Sequence, residues 1–242
     1  MTAALTYADL DPAPPNRLLA SLPQRECVRV LAACDAVELE LGVVLVEPEA
    51  RIRDVYFPTG SLISLSIPVD GKSPLEIAMV GNEGMVGAPL ILGVNRSELR
   101  AMVQGAGPAW RMNARTFARE LAASALLRVA LHRYLQVTIA QFAQAAACTR
   151  FHLIEGRLVR WLLMTQDRAH HDEFHVTHEV LARMLGVRRV GVTRAANALQ
   201  KRKLIHYHRG DVTILDRAAM EAASCGCYQA DLRVYEALLA DA

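Results

Sequence analysis

Gly186 constrains the fold of this chain more than any other residue, because two short helical patterns meet there, one leading in from Thr177 and one leading out to Leu204. Helices that cross steeply need a small residue at closest approach, a corner residue that tolerates positive φ, and apolar side chains turned inward. Ala182, Gly186 and the set Leu181, Leu185, Val187, Val192, Ala195 and Leu199 fall where those demands lie. The spacing predicts a helix-turn-helix whose second helix covers residues 188–202.

A charge pattern overlaps this unit. Residues 180–210 hold eight basic side chains (Arg183, Arg188, Arg189, Arg194, Lys201, Arg202, Lys203, Arg209) and no Asp or Glu. One face of the second helix is therefore cationic, and double-stranded DNA is the polyanion that such a helix fits. Residues 204–208 and 212–215 then alternate as strands around a turn formed by Arg209, Gly210 and Asp211, the pattern of a hairpin. Helix, turn, basic helix and hairpin together describe a winged helix-turn-helix. The net charge of +2 conceals this asymmetry. Residues 1–148 carry 13 basic and 14 acidic side chains, residues 149–242 carry 14 and 11.

A chain of 242 residues with 52% hydrophobic content can bury one large core or two ordinary ones and is not disordered. It has no signal peptide pattern and no apolar run near the ~18 residues that span a bilayer, so a cytoplasmic protein without a membrane partner is expected. The five cysteines, Cys27, Cys34, Cys148, Cys225 and Cys227, are odd in number and scattered, which predicts free thiols. Cys225 and Cys227 alone do not complete a tetrahedral site. The histidines His170, His171, His175 and His178 fit a solvated connector, and no metal site is expected.

Period and punctuation divide the rest. Residues 1–15, rich in Pro and small residues, read as a flexible arm. Residues 16–123 read as a sensor domain: helical spacing split by Pro23, then short β-like runs separated by turn signals at Gly42, Pro48, Pro58 to Gly60, Asp70-Gly71 and Gly81-Asn82. Residues 124–148 read as one long helix with a near-heptad apolar stripe of Leu127, Leu131, Tyr134, Leu135, Thr138 and Phe142, which predicts pairing with its own copy in a homodimer. Residues 149–242 read as the DNA-binding domain, with Thr149 capping its first helix. The fold class is α+β.

Three features together, the strand-rich region with the glycine-rich run from Val80 to Gly93, the long helix and the winged helix-turn-helix, resemble the Crp/Fnr superfamily of bacterial transcription regulators. The resemblance implies an antiparallel β-roll or jelly-roll of the cyclic-nucleotide-binding type, a homodimer on a palindromic site, and RNA polymerase as a further partner. In the cyclic-AMP-binding members a Glu after the cassette glycine holds the ribose and an Arg-Ser pair holds the phosphate. Here Gly87 is followed by Ala88 and Pro89, while Arg96-Ser97, with Arg100 competing, occupies the phosphate place. Without the ribose carboxylate a cyclic nucleotide loses charge-assisted hydrogen bonds of about 1.5–3 kcal/mol each, so cyclic AMP is disfavoured. Cys27 and Cys34 do not make the family's iron–sulfur cluster, and with no His before His132 haem is not expected either.

On the recognition helix, Arg189 and Arg194 match the positions where those members place arginines on guanine. Val190 replaces a glutamate that accepts from cytosine. Thr177, Arg188 and Thr193, with Lys201 on the helix and His208 and Arg209 on the wing, are the expected backbone contacts. Two rivals are weaker. A cupin-like metal enzyme needs His ligands on barrel strands, where this sequence has none, and an adaptor would bind protein and show no salt-dependent affinity for DNA.

Overall fold

A computed structural model describes residues 16–239 except Gly71, His170 and His171; the expected arm over 1–15 lies outside the described residues. Pro23 separates α1 (Arg17–Ala20) from α2 (Gln24–Leu31). Asn16 starts this unit: its Oδ1 accepts from the Leu19 amide at 3.0 Å, and its Nδ2 donates to the Pro58 and Gly84 carbonyls at 2.9 Å each. A buried amide with every bond made fixes the helices against the strands.

Seven strands follow: β1 (Asp35–Leu39), β2 (Val44–Val46), β3 (Asp54–Pro58), β4 (Leu62–Val69), β5 (Lys72–Val80), β6 (Arg100–Gly105) and β7 (Gly107–Asn113). They form two antiparallel sheets, β1-β7-β3 and β2-β6-β4-β5, with Ile52, Ile63, Val86 and Val103 between them. This is the expected β-roll. Between β5 and β6, Gly87 (φ 97°) and Gly93 (φ 75°) bracket a 3₁₀ turn over Ala88–Leu92.

Helix α3 (Ala114–Ala123) is capped by Asn113, and α4 (Ala125–Phe151) by Ser124, whose Oγ accepts from the Leu127 amide at 3.1 Å. α4 runs past the expected end. Thr149 lies inside it rather than capping the next helix, because no break precedes His152. α5 (Ile154–Ala169), β8 (Glu173–His175), α6 (His178–Leu185), α7 (Arg189–Lys201), β9 (Ile205–His208) and β10 (Asp211–Ile214) make the winged unit, with strand order β8-β10-β9. α8 (Arg217–Ala223) and α9 (Cys227–Leu239) follow.

The stripe on α4 faces its own chain. Leu127, Leu131 and Tyr134 are buried with Leu18, Phe57, Met85 and Phe117 in one core. Burying each such side chain contributes about 1.5–3 kcal/mol. These three residues are thus core, not free dimer contacts: α4 is apolar on more than one side, and periodicity alone did not say which side meets the roll. α9 joins the same core through Tyr235, whose hydroxyl donates to the Glu83 carbonyl at 2.9 Å. Among the described residues no helix is long and apolar enough to cross a membrane.

Candidate nucleic-acid interface and sensor cavity

Gly186 meets both of the demands placed on it. Its φ of 63° is left-handed, and a Cβ there would stand 2.7 Å from Leu75 on β5. The helix-turn-helix therefore packs against the β4–β5 hairpin. Thr177 caps α6, accepting from the Val180 amide at 3.3 Å. Thr193 shares a 3.1 Å contact with His178 Nδ1 and donates to the Arg189 carbonyl at 3.1 Å, so its hydroxyl ties α7 to α6. His178 also stacks on Tyr207 at 4.3 Å, joining the motif to the wing. Burial, and then the charge of Arg189, hold the His178 pKa below its ordinary value.

Arg188, Arg189, Val190, Arg194 and Lys201 are exposed on α7 or its first turn. No ion pair among the described residues engages these four cations, whereas Arg202 is paired with Glu155 at 2.8 Å. Arg188, Val190 and Arg194 line a groove with Val69 and Leu75 on its other wall, whereas Arg189 and Lys201 lie outside it. On the wing, His208 and Arg209 are exposed, and Arg209 adopts φ 51°. Gly210 follows at φ 102°, where a Cβ would enter the His175 imidazole.

The β-roll encloses a cavity of about 450 Å³. Gly87, Ala88, Arg96 and Ser97 line it, but Arg100 does not; that residue pairs with Glu47 at 3.3 Å. Arg96 donates to the Glu49 carbonyl at 2.5 Å, and the buried Ser97 hydroxyl is bonded to the Leu99 backbone. The Ser97 hydroxyl is committed to the backbone, and Arg96 is held by one of its guanidinium nitrogens. The wall is otherwise apolar, with Val46, Ile52, Val86 and Leu92 prominent. Leu135, Thr138 and Phe142, expected at a dimer contact, line this cavity where α4 crosses its mouth.

Buried polar contacts fasten α5 to its surroundings. Glu83 in the cassette pairs with Arg168 of α5 at 2.7 Å, and Arg160 pairs with Asp231 of α9 at 2.5 Å. On β5, Glu76 accepts from Trp161 Nε1 at 2.7 Å and from Ser64 Oγ at 2.5 Å. Burial pushes its carboxyl up to about 7. Sequence reasoning missed the Glu83–Arg168, Arg160–Asp231 and Glu76–Trp161 contacts, since each spans at least 71 residues and no local period marks it.

It also missed a constellation at the far end of α4. Against the expectation of no metal site stands one group of potential donors: Cys148 and His152 lie beside Cys225 and Cys227, with their ligand atoms all within 4.8 Å of one another. Only the second pair is adjacent in sequence, so the set is invisible without the fold.

The fold is a winged helix-turn-helix unit with an attached β-roll. Residues 156–223 match the family described as the Crp-like helix-turn-helix domain. The whole chain resembles a Crp/Fnr-family transcriptional regulator from Eubacterium rectale at 16% identity and TM-score 0.65, covering 85% of this chain and 96% of that one. It also resembles the c-di-GMP-responsive global regulator CLP of Xanthomonas campestris at 17% identity and TM-score 0.64, covering 80% and 100%. A third likeness is to FixK2 of Bradyrhizobium japonicum at 12% identity and TM-score 0.61, covering 79% and 98%. A comparison with curated protein sequences gave no match. The chain thus carries a Crp-like helix-turn-helix domain over residues 156–223 and shares its overall fold with solved Crp/Fnr-family regulators.

Proposed function

We propose that the protein is a homodimeric regulator that reads a palindromic duplex with one α7 per subunit, under control of the β-roll cavity. The observation that carries this reading is the set of exposed, unpaired arginines on α7. Each of Arg189 and Arg194 has the reach for a bidentate bond to guanine O6 and N7. Val190, 54% exposed among them, cannot accept from cytosine and suits a thymine methyl. Arg188, Lys201, His208 and Arg209 set register on phosphates. Thr193 spends its O–H on the Arg189 carbonyl, whereas Thr177 accepts from the Val180 amide and keeps its O–H for a phosphate.

With the inner stripe of α4 committed to the roll, the outward residues Leu126, Val129 and Ile139, at 52%, 48% and 60% exposed, are the apolar surface left for a second subunit. An apolar cavity with Arg96 and Ser97 already engaged favours an apolar effector over cyclic AMP. Such an effector would act by population shift, since α4 closes the cavity and Glu83 grips α5.

Binding of a labelled duplex selected from random sequence tests the reading. Affinity should fall with salt at a log–log slope of about −0.9 per phosphate contacted, and the selected site should be a palindrome differing from the cyclic-AMP regulator's consensus. Salt-independent binding, or recovery of that consensus, counts against it.

A further inference from the structure

Cys148 lies on the last turn of α4, and His152, four residues on, is the extended residue that caps the C-terminus of that helix. The connection from α8 brings Cys225 and Cys227 to that helix end, Cys227 being the first residue of α9. Cys148 Sγ and Cys225 Sγ are 3.6 Å apart, and Cys227 Sγ and His152 Nδ1 are 3.3 Å apart. A tetrahedral zinc ion with bonds of about 2.3 Å to sulfur and 2.0 Å to nitrogen separates its ligand atoms by roughly 3.5–3.8 Å. Both measured edges are close to that. Three thiolates and an imidazole form a donor set of structural zinc sites, and they select a soft tetrahedral cation over calcium or magnesium. Gln144 Nε2 donates to Cys227 Sγ at 2.9 Å, an outer hydrogen bond of the kind that orients a ligating thiolate. Arg157 and Arg160 border the same cleft as Cys148, where they offset the net negative charge of three thiolates on one dication.

We propose that Cys148, His152, Cys225 and Cys227 bind one zinc ion, which fastens the end of α4 to the start of α9. The site is independent of what α7 reads and of what fills the β-roll. On binding, the thiols lose their protons to solvent and no electron is transferred, so affinity should rise with pH.

The test uses the full-length chain, reduced, stripped with a chelator and titrated with cobalt(II) as a spectroscopic stand-in, then with zinc. One cobalt per chain should bind with the visible bands of a tetrahedral thiolate site, and one equivalent of zinc should bleach them. Cys225→Ser and Cys227→Ser should each lower zinc affinity at least 100-fold with the circular dichroism unchanged, and Gln144→Ala should lower it about tenfold. Octahedral cobalt, metal binding that survives both cysteine changes, or a Cys148–Cys225 disulfide forming in place of the metal would overturn the proposal. If a cysteine variant does not fold, the cobalt spectrum of the unchanged chain still decides.

Discussion

The arginines of α5 and those of α7 do opposite things with the same side chain. Arg160 and Arg168 are 13% and 8% exposed and locked to carboxylates that are 7% and 11% exposed, whereas Arg188, Arg189 and Arg194 lie open with no partner. A buried pair is costly to break because removing one member strands the other in low dielectric. An exposed guanidinium costs little to keep and is ready for a ligand's anion. In this molecule the Arg168 pair ties α5 to the cassette of the β-roll and the Arg160 pair ties α5 to α9, whereas the α7 arginines are left to solvent.

The sharpest attempt to break that contrast is Glu83→Ala, which leaves Arg168 buried without its partner. Urea denaturation should show a loss of about 3–5 kcal/mol, largely recovered in the double change Glu83→Ala with Arg168→Met. A loss no larger than that of a surface substitution would mean that the pair is solvated and the contrast is false. On α7 the effects should reverse. Arg189→Ala or Arg194→Ala should leave stability within about 0.5 kcal/mol while removing about 1–3 kcal/mol of discrimination between the selected duplex and one altered at a single base pair, measured by competition.

A smaller effect concerns Glu76, the carboxyl in the seam. Burial raises its pKa from the ordinary glutamate range to about 7, so between these limits the native state holds more protons than the unfolded chain. Stability from this group is present at low pH and is lost as pH climbs through 7. Thermal unfolding between pH 5 and 8 should reveal a decline on the order of 1 kcal/mol that Glu76→Gln abolishes; an unchanged profile in the variant would remove Glu76 as its source. The least change is expected for Arg188→Ala, which should reduce the salt slope by about 0.9 and leave sequence preference as it was.

Some of this was legible in the residues. Gly186 signalled its corner because only one residue type accepts that backbone so close to Leu75, and the β-roll was signalled by alternation and turn residues. What was hidden depended on direction or distance. Leu127, Leu131 and Tyr134 have the same spacing whether they meet the roll or a second subunit. Cys148 and Cys225 are 77 residues apart in sequence, and Arg96 gave no local sign that the Glu49 carbonyl would claim it. The sensor cavity's apolar character followed from such commitments, not from composition.

The return of α9 has a consequence for portability. Tyr235 sits in the β-roll core and bonds to the Glu83 carbonyl, although the chain reaches it only after the wing. A chimera that grafted everything beyond the long helix onto another sensor would carry away a piece of the first sensor's own interior. The reader here cannot be lifted out as a cassette, and inheritance or engineering has to move both ends of the chain together.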